Sequence, residues 1–370
     1  MQVRSGRLEY VETIRGLACL LLVAFHVTGT SLTDGLGPDQ WHPLRIFNDG
    51  FDNSRMPVFA FISGFVLSAV IVSVSQWQGA VLSKVKRLLV PMAVASAIFY
   101  AMRALADYDQ QPFLSIFFVQ YAHYWFLQAM FVLTALLLTL SLLLKGRSDV
   151  AAVILLVFFV PFFISVQRWN PNVMSMYQGS YLAPFFLAGH LFAYYLRRRT
   201  QREQGDLPAR LAVAPGVLPA FLLVFNIALV LGLVQPPRPI ANIHRVIIGL
   251  CSALFLFLLK PQSKILYYFG THTYAIFLYH VIFTGTTREM FQKLWPAMPP
   301  ELIFLPAFIM GLFGPILVEK LALKSDLTAL LLLGVDLKSQ RKKAERRKEE
   351  AQVTPSAWAP VAPAAPGETG

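Results

Sequence analysis

The first apolar stretch, VETIRGLACLLLVAFH from Val11 to His26, carries an arginine, Arg15, near its start and a histidine, His26, at its end. On an α-helix their offset is about 20° past three full turns and roughly 16 Å of rise, so both lie on one face at different depths. An ionisable group inside hydrocarbon costs about 2.5–3.5 kcal/mol and normally faces a protein interior or a wet cavity. A neutral imidazole is a base near physiological pH, and a guanidinium orders an anion or a carboxylate. The same pattern also fits a snorkelling arginine and a histidine satisfied within a helix bundle.

Further residues of this kind follow along the chain. PVFAFISGFVL at 57–67 holds Ser63-Gly64, small residues that let neighbouring helices approach closely. SKVKRLLVP at 83–91 sets Lys84, Lys86 and Arg87 beside an apolar run. These cations either fix topology or hold a phosphorylated donor. HYWFL at 123–127 puts His123 next to Trp125, where the aromatics alone read as interfacial anchors. HTYAIFLYHVIF at 272–283 buries His280 mid-segment, and FFLAGHLF does the same for His190. Of the seven histidines, three (His26, His190 and His280) therefore fall inside apolar segments, which makes a polar interior the expectation.

The elements that position these residues are transmembrane helices. Of the 370 residues 56% are hydrophobic and only 14% charged, against about 25% charged in an ordinary soluble domain. Mean hydropathy is +0.56. Cys19 and Cys251 both sit in apolar runs, give no disulfide framework, and leave no ligand cluster for a metal. Segments long enough to span a bilayer fall at 13–31, 56–75, 88–104, 124–144, 150–167, 181–197, 216–234, 243–259, 272–288 and 302–322. The expected fold is thus an all-α polytopic membrane protein of about ten spans. The first run lacks an A-x-A exit and reads as a retained span rather than a cleaved signal.

Charge between the spans alternates. Lys84, Lys86 and Arg87, then Lys145 and Arg147, then Arg197, Arg198, Arg199, Arg202 and Arg210, then Lys260 and Lys264 fill every second connection. The positive-inside rule then places both termini in the cytoplasm. The outward loops 32–55, with Asp34, Asp39, Asp49 and Asp52, and 105–123, acidic and aromatic, either line a polar-ligand site or are simply solvated. The expected division is a transmembrane domain over 1–325 and a disordered tail over 326–370. The tail's basic cluster QRKKAERRKEE suits anionic lipid rather than nucleic acid.

In order and spacing these motifs resemble the membrane-bound acyltransferase-3 family across residues 8–322. Glu12, Arg15-Gly16-Leu17-Ala18 and His26 resemble its first-span motif. FAFISGF with Ser63 and Gly64 resembles its second span, and Lys84 to Arg87 its basic segment. His123 through Leu127, TYAIFLYH ending in His280, and Glu319 near the last span's inner end resemble its later motifs. Thr271-His272-Thr273, Val281 and Lys320-Leu321 depart from the usual residues, and His190 has no counterpart.

The resemblance implies an O-acyltransferase of a bacterial inner membrane. It would move an acyl group, most often acetyl, from cytoplasmic acyl-CoA to a hydroxyl of a cell-surface or periplasmic glycan, without a metal. It implies catalytic roles for His26, Arg15 and Glu12, donor binding by Lys84, Lys86, Arg87, Ser63 and Gly64, and acceptor or passage-lining roles for His123, Trp125, His280 and Glu319. A multi-pass transporter or flippase of the same topology is the alternative, since intramembrane His and Arg also mark solute pathways.

Overall fold

The structure is a computed structural model that describes residues 8–29, 34–67, 71–108, 110–165, 172–201, 216–217, 224–229, 231–235, 237–339 and 341. α1 (Glu9–Thr28) starts with Glu9 and Glu12 in its first turn, where carboxylates complement the helix dipole. It ends at Gly29, whose φ of 62° suits glycine and turns the chain back, so that Leu36 and Gly37 donate to the carbonyls of Val27 and Thr28. The short α2 (Pro43–Gly50) and α3 (Asp52–Phe65) follow. Next come α4 (Val74–Lys84), capped by Ser73, a π-turn at Val85–Leu89, and α5 (Val90–Leu105).

The π-turn has a local cause. Pro91 has no N–H, so the Arg87 carbonyl four residues earlier has no helical donor. Tyr274 supplies one instead, donating its hydroxyl to Arg87 O. A 3-10 turn at Ala122–Tyr124 leads into α6 (Trp125–Leu143), followed by α7 (Ser148–Ser165) and α8 (Met176–Gln201). α9 (Arg238–Leu259), α10 (Lys264–Thr271), α11 (Thr273–Leu294), α12 (Pro300–Ala322) and α13 (Asp326–Leu333) follow.

Six of these segments are long and apolar enough to cross a membrane: Glu9–Thr28, Val74–Leu105, Ala122–Leu143, Ser148–Ser165, Pro239–Leu259 and Pro300–Ala322. Among the described residues there is no strand, only an isolated bridge between Val119 and Val173. The helices run between two ends. At the near end, where α1 begins, Leu8, Arg197 and Lys260 line one pocket. At the far end Asn226 donates to Gly50 O, Tyr108 to Glu289, and His42 to Glu301.

α1 is the centre of the bundle, in contact with α3, α9, α10, α11 and α12. Its tightest crossing is with α10, where a Cβ on Gly16 would lie 1.8 Å from Leu266 O and one on Gly270 1.9 Å from Glu12 O. Outer helices reverse the soluble pattern. Leu302, Leu305, Ile309, Phe313 and Leu317 of α12 are exposed at helical spacing, while Ala307, Gly311 and Gly314 face inward. Bulky apolar groups outside and small ones inside is what hydrocarbon solvent selects.

Several boundaries differ from the sequence reading. The second span was expected over 56–75, but α3 covers 52–65 and a new helix starts after Ser73, whose hydroxyl accepts from Gln76 N. Lys84 to Arg87 lie within a continuous helical segment rather than in a connecting loop. Of the expected 216–234 span, residues 218–223 and 230 lie outside the described residues. Residues 326–333, assigned to the tail, form α13, which packs on α5 and α12 and whose Leu332 carbonyl accepts from Tyr279. The remainder from 342 onward lies outside the described residues.

Candidate active site

Arg15 and His26 of α1 face two different cavities. Near the start of α1, a cavity of about 240 Å³ is lined by Glu12, Arg15, Ser63, Lys84, Arg87 and Tyr274. Arg15 Nη1 donates to Glu12 Oε1 at 2.8 Å, and Glu12 is otherwise buried. Lys84 and Arg87, one helical turn apart across the start of the π-turn, add two cations, and among the described residues Glu12 is the one carboxylate on the wall. The Arg87 guanidinium lies 5.7 Å above the Tyr274 ring, the same tyrosine that donates to its carbonyl. Ser63, which lines the cavity, spends its hydroxyl proton on Phe59 O at 2.8 Å.

At the far end of α1, a cavity of about 350 Å³ is lined by His26, His123, Arg103, Tyr108, Arg288 and Glu289, with Phe25, Asp34, Phe99 and Thr284 between them. His26 meets His280 at a ring-centroid distance of 4.8 Å and His123 at 5.8 Å, and the latter two are 5.0 Å apart. Three elements converge here: α1, the 3-10 turn before α6, and α11. His280 is fully buried. Its Nδ1 faces the carbonyls of Ile276 at 2.8 Å and Phe277 at 3.0 Å, so Nδ1 carries the proton. The lone pair therefore sits on Nε2, which is buried and has no hydrogen-bond partner in the structure.

An aromatic wall separates the cavities. Phe277 lines the near cavity and stands 5.7 Å from His123 and 5.4 Å from Phe126. Tyr124 braces this wall by donating to Ala95 O and Leu278 O. α11 thus serves both sides, with Thr273, Tyr274 and Phe277 facing one cavity and Val281, Thr284 and Arg288 the other.

The anticipated residues divide between these sites and other places. Glu12, Arg15, Ser63, Lys84 and Arg87 share the near cavity; His26 and His123 share the far one with His280 against them. Gly64 is at a backbone crossing with α8 instead, since its Cβ would lie 1.8 Å from Phe186 O. Lys86 points away and pairs with Asp336 at 3.8 Å. Trp125 lines neither cavity and packs on Phe126. Glu319 accepts from His272 Nδ1 at 2.6 Å at the break between α10 and α11. His190 pairs with Ser148 at 3.1 Å, away from the cluster.

Of the four aspartates in 32–55, only Asp34 reaches the far cavity; Asp39 caps Trp41 N, Asp49 pairs with Arg45, and Asp52 holds Arg55 at 2.9 Å. Arg103, Tyr108, Tyr274, Arg288 and Glu289 were not singled out from the sequence as site residues. Tyr108 donates to Glu289 Oε1 at 3.0 Å. Burial first, and then that hydrogen bond, hold its hydroxyl above the usual tyrosine range, so it remains a donor. Among the described residues no group of His, Cys, Asp and Glu has a metal-holding arrangement.

The model of the acyltransferase-3 family, described as an acyltransferase domain, matches residues 8–320. The chain belongs to the acyltransferase-3 family. No curated protein and no solved structure matches it. With its apolar helices, this makes the protein a multi-pass membrane acyltransferase. The matched span contains both cavities of this acyltransferase and the wall between them.

Proposed function

We propose that this acyltransferase moves an acyl group, acetyl in the first instance, from acyl-CoA in the near cavity to a glycan hydroxyl in the far cavity, with His26 as general base. In this reading the near end is cytoplasmic, both termini lie on that side, and the membrane is a bacterial inner membrane. The observation that carries it is the pairing of a cationic cavity and a histidine-lined cavity end to end along α1. Lys84, Arg87 and Arg15 suit the phosphates of a CoA by charge-assisted hydrogen bonds. The pantetheine arm would follow α1 past Phe277 and bring the thioester toward His26.

The chemistry asks little of the protein. A thioester is already activated, so the hydroxyl needs only a base and the developing oxyanion a donor. His26 takes the hydroxyl proton as the oxygen attacks the thioester carbon; collapse of the tetrahedral intermediate breaks the carbon–sulfur bond and returns a proton to the CoA thiolate. His280, with its proton fixed on Nδ1 and its ring 4.8 Å from that of His26, would steady the imidazolium formed there. The aromatic wall speaks for hand-over of a group rather than passage of a whole solute, as a transporter would need.

The direct test supplies labelled acetyl-CoA to the near side of oriented vesicles and follows label into glycan on the other side. Label that stays on CoA, or glycan that crosses intact, overturns the reading. For the donor site, Lys84→Gln with Arg87→Gln is expected to raise the apparent KM for acetyl-CoA roughly tenfold or more while the acceptor KM stays put. Equal changes in both constants, or lost insertion alone, would leave these charges a purely topological role.

A further inference from the structure

We infer that the far cavity is built for an acceptor bearing a carboxylate, and that Arg288 is the residue that reads it. This rests on the acyltransferase reading for what becomes of the bound molecule, but not for the binding itself. On α11, His280, Thr284 and Arg288 recur every fourth residue and form one stripe, with relative exposures of 0%, 3% and 6%. The stripe leads from the histidine cluster to the far end over about 12 Å of helix rise. Thr284 and Arg288 both line the cavity.

Arg288 is the anomaly on this stripe. Its Nε–H is buried with no acceptor. The neighbouring carboxylate, Glu289, stands 3.9 Å from Nη2, beyond hydrogen-bond reach, and its Oε1 already accepts from Tyr108 at 3.0 Å. A guanidinium edge formed by Nε and one Nη fits a planar carboxylate through two parallel hydrogen bonds. A buried charged donor left unmet is costly, so a site that keeps one is shaped for a partner that arrives later.

The rest of the wall agrees. Arg103, on α5, lies 4.4 Å above the Tyr108 ring and 5.9 Å from Phe99, so the stacking holds a second guanidinium on the same cavity. Among the described residues Asp34 and Glu289 are the carboxylates facing it, and they match the formal charge of Arg103 and Arg288. Selectivity then lies in the oriented edge of Arg288, not in net potential.

The test uses the full-length protein in detergent and, as probes, a short oligomer of glucuronic acid, the same oligomer converted to its carboxyl amide, and a neutral glucose oligomer carrying a sulfate ester. The wild type is expected to bind the carboxylate form roughly ten- to hundredfold tighter than the amide. Arg288→Gln should abolish that preference without changing amide binding, and Arg288→Lys should restore part of it. Equal binding of acid and amide by the wild type, no binding of either, or uniform loss with Arg288→Gln, overturns the inference; equal binding of the sulfated oligomer overturns the carboxylate assignment. In parallel, transfer from acetyl-CoA is followed with the same probes. A binding preference without any transfer would leave this inference standing and remove the acyltransferase chemistry proposed for the site.

Discussion

Replacing His26 with Gln is expected to cut acyl transfer by about 10²–10⁴-fold while the protein still inserts and still binds its donor. Glutamine keeps hydrogen-bonding capacity at this position but cannot take up and return a proton. His26 is the histidine of α1 that faces the far cavity, and its ring is in contact with those of His123 and His280. His280→Gln should also lower turnover, but less, because His280 stands behind His26 with one nitrogen committed to its own helix. His190→Gln should retain most activity, since that ring pairs with Ser148 elsewhere. The assay is initial-rate transfer from labelled acetyl-CoA in membranes holding equal amounts of each variant. If His26→Gln turned over at the wild-type rate while His280→Gln or His123→Gln did not, the base would be reassigned to that residue.

Gly64→Ala is expected to be a folding lesion rather than a binding one. At this crossing the backbones of α3 and α8 touch. A Cβ on Gly64 would sit 1.8 Å from Phe186 O, and one on the facing Gly189 2.1 Å from Phe61 O. Neither obstacle is the end of a flexible side chain, so the helices must part. Overpacking of this kind costs about 3 kcal/mol or more, a large share of a membrane protein's margin. Thermal unfolding in detergent should show a clearly lowered midpoint, or the protein should fail to accumulate. Ser63→Ala, one residue away, removes only an intrahelical hydrogen bond and should fold. A Gly64→Ala protein of wild-type stability with selectively weakened donor affinity would return Gly64 to the binding site.

Much of this was legible in the sequence because α-helical geometry is predictable over short distances. Arg15 and His26 are on one helix, and a periodicity argument suffices to give them one face and two depths. Lys84 and Arg87 stand one turn apart, so their common orientation, and the divergence of Lys86, also follow from local spacing. Gly64 could be read as a packing residue from its size alone. The histidine cluster was less accessible. His26, His123 and His280 come from distant parts of the chain, and nothing local to HYWFL or TYAIFLYH says that their rings meet. Arg288 falls at the last residue of the expected 272–288 span, and its burial emerges only with α11 running on to Leu294. Glu319 stands out in the sequence, but its partner His272 reads there only as a departure from the usual pattern.

The wall of Phe277 and Phe126 also has an electrical consequence. In a plain bilayer the transmembrane voltage falls across a hydrocarbon core of about 30 Å. Cavities that enter from both ends, once filled with water, carry each bulk potential inward and compress that fall onto the few aromatic rings between them. Whatever crosses the rings then experiences nearly the whole voltage in one step. An uncharged acetyl group crosses without electrical work. A group with its own carboxylate, such as succinyl, would be coupled to the voltage by about 2.3 kcal/mol per 100 mV. In the proposed reaction an energised membrane would therefore treat these two donors differently at a step where the chemistry of their thioesters is the same.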